Sequence, residues 1–588
     1  MPEVLAAVAS DELAAARRRV FRQLLEALTY EGILPVEERP DGEGLALRTT
    51  GGGGTTYTWR ARRRHSFGRL RVDPCSIERH AGGRGEQARS PALFVHELAD
   101  AMGADPGKAA AFADELSRTV LNDAVGACRR RAGNPPVDGY DALEAAAGGH
   151  PYHPSYKSRV GFDPLDNLGY GPEPAPIVRP VWLAARRDAV QVAAAPGTDA
   201  TAFLAGEVGD DVLRRLAAAV TTAGGDPQAY VPVPAHPWQY RERLLPGLVD
   251  DVRDATLVPL GDGGDDYRPQ QSIRTLANVT TPAKASLKLS LSIVNTSTAR
   301  TLAPHTVANA PRITGWLRGI VEGDPYLGGE LRPVLLGEVL GVSYHSPSRI
   351  TAGGELAAIW RESVHAHLGA GEAAVPFTAL SLLDGRGAPV VAPWLAERGA
   401  QAWARQLLEV TVPPVLHLLC AHGVAVEAHA QNMVLVHRDG WPVRIALKDF
   451  HDGVRFARHL LADPQAAPEL VPVPEAHLQA NRTSYLEAEH GDEVRNFVHD
   501  AFFFVNLAEV AMFLDDHCGL AERRFWALAR EVVLAHRRRF PDLADRFDRF
   551  DVLAPTVRVE QLAARRLLPE TRPRLHEVPN PLAGGGAG

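Results

Sequence analysis

Cysteine is scarce in this chain: Cys75, Cys128, Cys420 and Cys518 are spread over 588 residues. None stands in a C-x-x-C pair, which excludes a disulfide framework and a cysteine-based zinc site and suits a reducing cytosol. A secretory leader is also missing. The apolar residues at the N-terminus are interrupted by Glu3, Asp11 and Glu12, and Arg17-Arg18-Arg19 follows them instead of preceding them. No apolar run reads as long enough to span a bilayer. Nor is there an excess of positive charge: 63 Lys and Arg face 71 Asp and Glu, for a net charge of −8, and the basic residues are scattered. Together these absences predict a soluble, cytoplasmic protein with no nucleic-acid and no membrane partner.

What is present is globular in character. Hydrophobic residues make up 45% and charged residues 23%, and 588 residues exceed one ordinary core, so two to four domains are expected. A first segment, 1–145, reads as an amphipathic helix at 10–30, capped at Ser10, with short strands at Ala46–Arg48 and Thr56–Trp59 and helices at 91–103 and 106–131. Gly51–Gly54 reads as a hairpin tip; it is no phosphate loop, since no Lys-Ser/Thr follows. Gly133-Asn134-Pro135-Pro136 reads as a boundary. A second segment, 146–345, is richer in strands: Val178–Ala185 with Val190–Ala194 as a hairpin, then Pro269–Asn278 with Ser286–Thr296, closed by a helix near Pro311–Val321 with Pro311 in its first turn. A third, 346–588, reads as helices at 354–369, 398–421, 494–515, 521–538 and 541–548, interrupted by one strand unit at 424–456. Its Gly584–Gly588 tail reads as disordered.

Two constellations carry chemistry. With a strand period of two, Leu287, Leu289, Leu291 and Ile293 share one face, and Lys288, Ser290, Ser292 and Thr296 share the other. Read as a neighbouring strand, Gln271–Thr275 adds Ser272 and Arg274, and Arg300 follows shortly. Three cations held together repel unless an anion sits among them, and a polyphosphate plus a carboxylate fits. The bland reading is a solvated strand face.

The second constellation is a hairpin. Met433–His437 and Val443–Leu447 are β-rich runs joined by Arg438-Asp439-Gly440-Trp441-Pro442, so folding brings Asn432 at one end near Asp449 at the other. Glu427, Asn432 and Asp449 are candidate oxygen ligands for Mg²⁺, with His429 facing the reacting phosphate or carboxylate. Turn capping is the alternative for Asn432 and Asp449. His451 and Asp452 either join this site or shape the Gly453 turn. Lys157, Ser158 and Arg159 are placed to reach phosphate. His150-Pro-Tyr-His153-Pro reads as structural or as a nucleotide edge, and His236-Pro-Trp-Gln239 as architectural. His417 and His422 read as helix-capping or solvated.

Several of these segments together resemble the IucA/IucC family, the siderophore synthetases that work independently of non-ribosomal peptide synthetases. They are His150-Pro-Tyr-His153-Pro with Lys157-Ser-Arg159, His236-Pro-Trp-Gln239, Ser272-Ile-Arg274-Thr275, Lys288 to Arg300, Glu427-Ala-His429-Ala-Gln-Asn432 and Lys448-Asp449-Phe-His-Asp-Gly453. The resemblance implies an α+β cupped hand with thumb (1–145), fingers (146–345) and palm (346–588) regions. It implies an antiparallel sheet in the middle, a largely helical C-terminal region, and a homodimer. It also implies use of ATP and Mg²⁺ to adenylate a carboxylic acid, after which an amine, hydroxylamine or alcohol displaces AMP. Ser272, Arg274, Thr275, Lys288, Arg300 and Asn432 would then bind ATP. Thr296, Arg300 and His429 would bind the carboxylate, and Glu427, Asn432 and Asp449 the metal. His429, Arg300 and Lys288 are the expected catalytic residues. The Glu427 and Lys448 motifs favour citrate or a 2-oxoglutarate-type acid. A kinase-like phosphotransferase is the enzymatic alternative, but there is no G-x-G-x-x-G loop and no His-Arg-Asp triplet. A nucleotide-binding scaffold is the non-enzymatic one.

Overall fold

The computed structural model describes residues 1–133, 139–146, 148–296, 298–347, 354–480, 485–569 and 574–584. Most of the expected Gly133–Pro136 boundary and the last four residues of the glycine tail lie outside these. The fold mixes helix and sheet, as expected. In the first segment the Asp11–Tyr30 helix buries Val20, Phe21, Leu24, Leu25 and Leu28, the three-and-four spacing of one helix face. Ser10 takes the N-cap position, but its hydroxyl donates back to the Ala7 carbonyl instead of capping (2.7 Å). Gly44–Thr50 and Thr56–Arg63 pair antiparallel around the glycine turn, which is therefore a hairpin tip.

The element that positions the site is an antiparallel sheet in the order Tyr267–Pro269, Thr275–Asn278, Ser286–Leu289, Ala357–Arg361, Glu338–Tyr344 and Val190–Ala194. Its register pairs Thr275 with Lys288, Ser286 with Arg361, and Glu338 with Arg361. Because side chains alternate, Ser286, Lys288, Arg361 and Glu338 project from one face.

Four expectations are corrected here. Residues 354–369 are not a helix: Ala357–Arg361 is a central strand with every residue buried. A short apolar run covered on both faces carries no period that separates strand from helix. Val181–Arg186 and Val190–Ala194 do not pair with each other. Arg187–Ala189 between them lacks the Gly or Asn of a tight reversal and forms a 3₁₀ turn that hands the chain to a second sheet. The helix placed at Pro311 begins at Pro304 and keeps Pro311 inside. Proline there leaves the Val307 carbonyl without its helical donor, and that carbonyl lies against Gly341, where a Cβ would collide. Finally, Gln271–Arg274 is a turn, with Ile273 in the left-handed region (φ 68°).

The third segment carries the strand unit among helices. Met433–Arg438 and Trp441–Lys448 form the expected hairpin, with Asp439 (φ 49°) and Gly440 (φ 76°) both left-handed, as a two-residue I′ turn requires. Val334–Leu336 runs parallel to its second strand, pairing Leu336 with Lys448. The helical stretch Gly491–Cys518 is, contrary to expectation, long and apolar enough to cross a membrane. However, 83% of its most apolar window is buried within the fold, which marks a core element.

Candidate active site

The sheet and the hairpin meet at a buried ion cluster. Lys288 Nζ lies 2.7 Å from Asp449 Oδ1, 3.3 Å from Glu338 Oε1 and 3.2 Å from His451 Nδ1. Arg361 donates to the same Asp449 oxygen (2.7 Å) and to Gln270 Oε1 (2.6 Å). The other Glu338 oxygen accepts the backbone N–H groups of Phe450 (3.2 Å) and His451 (2.9 Å). Burial alone would raise the Asp449 pKa, but Lys288 and Arg361 hold it well below the usual carboxylate range. Glu338 is likewise held down against its burial by His451 and Lys288. The middle-region cation and the late hairpin therefore converge on one cluster.

Glu338 and Arg361 were not found from sequence. Glu338 does leave a trace, as the one charged residue in the Val334–Tyr344 stretch. A charge is almost never fully buried unless paired. Lys448, on the hairpin, pairs with Glu144 (2.7 Å) of the short Tyr140–Ala146 helix and so joins the first segment to the cluster.

Arg274 donates to the carbonyls of Arg300 (3.1 Å) and Thr301 (2.9 Å), and Arg300 donates to the Asn295 carbonyl (3.0 Å). The Nε of each guanidinium is buried and has no hydrogen-bond partner among the described residues. Burial, and then the neighbouring Arg274, push Arg300 down to about 10. Two guanidiniums with buried, unpartnered Nε donors are an anion site in waiting. The Ser272 hydroxyl donates to Thr275 Oγ1 (2.7 Å). Thr296 adopts φ 66°, and its carbonyl accepts from Ser155 Oγ (3.3 Å).

Glu427, His429 and Asn432 border the same charges. Asn432 Nδ2 donates to the Glu427 carbonyl (3.1 Å) and to Glu427 Oε2 (3.3 Å), and His429 Nε2 lies 3.8 Å from that oxygen. Glu427 and Asn432 thus meet each other, whereas Asp449 is held by Lys288 and Arg361. Burial, with the Asp452 carboxylate adding to it, pushes Glu427 up to about 7; burial also takes His429 down to about 4, leaving a neutral imidazole at pH 7. A raised carboxyl pKa makes folding less favourable as pH climbs from the ordinary glutamate value of about 4.3 towards 7. Glu427→Gln removes that ionisation. It is expected to raise the melting temperature above wild type at pH 8, with a difference that shrinks as pH falls and disappears below the ordinary glutamate value of about 4.3, read by thermal melts at pH 8 and below that value.

Other sequence candidates belong to the scaffold. Lys157 and Arg159, read as phosphate ligands, are held by carboxylates: Lys157 binds Asp123 (2.6 Å) and Glu173 (3.1 Å), and Arg159 binds Glu173 (2.8 Å). Both are buried, and a buried cation requires such partners. Ser158 between them is fully buried too. Ser290 and Ser292, read as part of the polar face, are occupied structurally. Ser290 bonds the Gly354 carbonyl (2.5 Å) and the Leu302 N–H (3.0 Å), and Ser292 accepts from Gln239 (3.0 Å). The His236–Gln239 turn is architectural, with Trp238 Nε1 donating to Asp166 (3.0 Å). His150 Nδ1 accepts the Tyr152 and His153 N–H groups (3.2 and 3.0 Å), so that segment orders its own turn. His417 and His422 do not stay solvated; both reach Asp324.

Comparison with known proteins agrees with this geometry. Residues 139–382 match the family described as the IucA / IucC family, and residues 401–575 match the one described as ferric iron reductase FhuF-like transporter. A Staphylococcus aureus protein named 2-[(L-alanin-3-ylcarbamoyl)methyl]-3-(2-aminoethylcarbamoyl)-2-hydroxypropanoate synthase is 39% identical, over 97% of this chain and 93% of its own. A Bacillus anthracis protein named citryl-spermidine/3,4-dihydroxybenzoyl-citryl-spermidine:spermidine ligase is 37% identical, over 99% and 95%. The crystal structure of petrobactin biosynthesis protein AsbB from Bacillus anthracis str. Sterne superposes with a TM-score of 0.92 at 37% identity, over 99% of this chain and 98% of that one. At that identity and coverage, and with the cation strand and the Asp449 hairpin joined in one cluster, this chain belongs to the IucA/IucC family of siderophore synthetases.

Proposed function

We propose that the protein adenylates a carboxyl group of citrate, or of a citrate already carrying one amide, and condenses it with an amine. The observation that carries this reading is the 2.7 Å contact between Lys288 and Asp449 beside Arg274 and Arg300. The orphaned Nε groups of the two arginines fit the phosphates of ATP, and the oxygens of Asp449, Glu427 and Asn432 suit a hard cation. Those three residues would hold Mg²⁺, which when bound supplies positive charge to the phosphates.

The remaining chemistry rests on the chain's own groups. A carboxylate approaching the α-phosphate brings two anions together, so cations must already be in place. Lys288 supplies a point charge; Arg274 and Arg300 supply forked donors, with Ser272 and Thr275 closing the turn beside them. Arg300, the neutral imidazole of His429 and Thr296 orient the carboxylate. Its oxygen bonds to the α-phosphorus and pyrophosphate leaves. The amine nitrogen then bonds to the acyl carbon and gives up a proton to solvent, and AMP departs with the carboxylate oxygen. Citrate is favoured because both relatives' names describe amides of this skeleton or citryl compounds.

The test is pyrophosphate release from ATP and Mg²⁺ over a panel of acids: citrate, a citrate mono-amide, 2-oxoglutarate and a succinyl hydroxamate. Each is paired with diamines, hydroxylamines and alcohols. Release is expected with citrate or its mono-amide plus an amine. Release confined to the succinyl hydroxamate would overturn the substrate assignment.

A further inference from the structure

Away from the cleft, Asp324, His417 and His422 converge at the seam between the stretches matched by the two families. Asp324 Oδ2 lies 3.1 Å from His417 Nε2 and 2.9 Å from His422 Nε2. Its other oxygen is fixed by the backbone N–H groups of Tyr326 (2.8 Å) and Leu327 (2.9 Å), at the head of the Pro325–Leu331 π-turn. Oδ2 is thereby aimed at the two imidazoles.

The two histidines share a face only because the backbone makes them do so. Residues five apart in an α-helix point roughly 140° away from each other. Here the Ala400–His417 helix widens into a π-turn over Leu418–His422, whose i→i+5 bonding stacks residues at that spacing, and Gly423 ends it at φ 76°. The ring centroids of His417 and His422 come to 5.8 Å. Behind His417, its Nδ1 lies 3.3 Å from His536 Nε2 on the Glu522–Arg539 helix, the outer hydrogen bond that orients a ligating imidazole.

We propose that Asp324, His417 and His422 bind a divalent first-row transition-metal ion of the zinc type, leaving one coordination position open. Ligand atoms around a tetrahedral ion with bonds of about 2.0–2.1 Å sit roughly 3.3 Å apart, close to the two Asp324–histidine distances, and all three ligand atoms lie within 4.8 Å of one another. His417 is buried, while His422 (21% side-chain exposure) and Asp324 (13%) leave an entry path. Two imidazoles and one carboxylate select against Mg²⁺, which separates this site from the cleft. An ion here ties Asp324, from the IucA/IucC-matched stretch, to His417 and His422 of the following stretch, with His536 behind His417.

The experiment uses the full-length protein stripped with chelator and titrated with Co²⁺ in visible absorption. One equivalent with tetrahedral bands, displaced by Zn²⁺ but not by Mg²⁺, is expected. His422→Ala and Asp324→Asn should each weaken it by at least ~100-fold, and His536→Asn by about 10–100-fold, the usual cost of losing an outer partner. Asp449→Asn should retain it, which excludes the Glu338–Asp449–His451 cluster as the source. Chelation should lower the wild-type melting temperature and leave that of His422→Ala unmoved. Absence of a stoichiometric Co²⁺ spectrum, or one unchanged in His422→Ala and Asp324→Asn, overturns the assignment, whatever the pyrophosphate assay gives.

Discussion

Lys288→Met is expected to abolish adenylation and to weaken the fold at the same time. The ammonium is the shared partner of Asp449, Glu338 and His451, with a side chain only 2% exposed. Breaking a buried pair by removing one partner typically costs about 3–5 kcal/mol. The low end applies here, because Arg361 still holds Asp449 and His451 still holds Glu338. The loss reads as a lowered urea midpoint. It should shrink in acid. Asp449, depressed in the native state, contributes stability that is complete above the ordinary aspartate value of about 3.9 and fades as pH falls below it. The two proteins therefore converge in stability at low pH. Pyrophosphate release should fall by two decades or more, since one well-placed donor is worth about 2.7–4 kcal/mol of barrier. Normal turnover by folded Lys288→Met would remove the ammonium from the reaction.

Arg300→Ala separates the two effects. Arg300 is only half buried and gives one hydrogen bond to the Asn295 carbonyl, so its loss costs about 1 kcal/mol or less of stability. Part of that returns when the repulsion from Arg274 disappears. Activity should still drop about 100–1000-fold, because one well-placed donor to the developing charge is worth that much of the barrier. Arg300→Lys keeps the charge and loses the fork, so an intermediate rate is expected. Stopped pyrophosphate assays beside thermal melts decide the matter: a variant that melts like wild type and works like wild type contradicts the role.

The sequence made the hairpin legible because Asp439-Gly440 specifies a tight reversal, and a tight reversal brings Asn432 and Asp449 to the same end. Lys288 was legible because alternation isolates it among leucines. Glu338 and Arg361 were not, because their approach depends on sheet order, and no local pattern states that Ala357–Arg361 lies between Ser286–Leu289 and Glu338–Tyr344. The same strand read as helix for a related reason: burial on both faces erases period. Lys157 and Arg159 read as phosphate ligands because cations beside serine suit phosphate as well as they suit buried carboxylates. Only the fold shows Asp123 and Glu173 claiming them. His417 and His422 read as unrelated caps because a five-residue spacing means nothing until the helix widens.

The central claim is that cations and oxygen ligands joined at Lys288 and Asp449 drive attack of a carboxylate on the α-phosphate. Citrate labelled with ¹⁸O in its carboxyl groups, turned over with ATP, Mg²⁺ and an amine, tests it by mass spectrometry of the nucleotide product. Transfer of one ¹⁸O into AMP, with unlabelled pyrophosphate, is the predicted result. Label in inorganic phosphate with ADP as the nucleotide product would place the attack at the terminal phosphate and contradict the account.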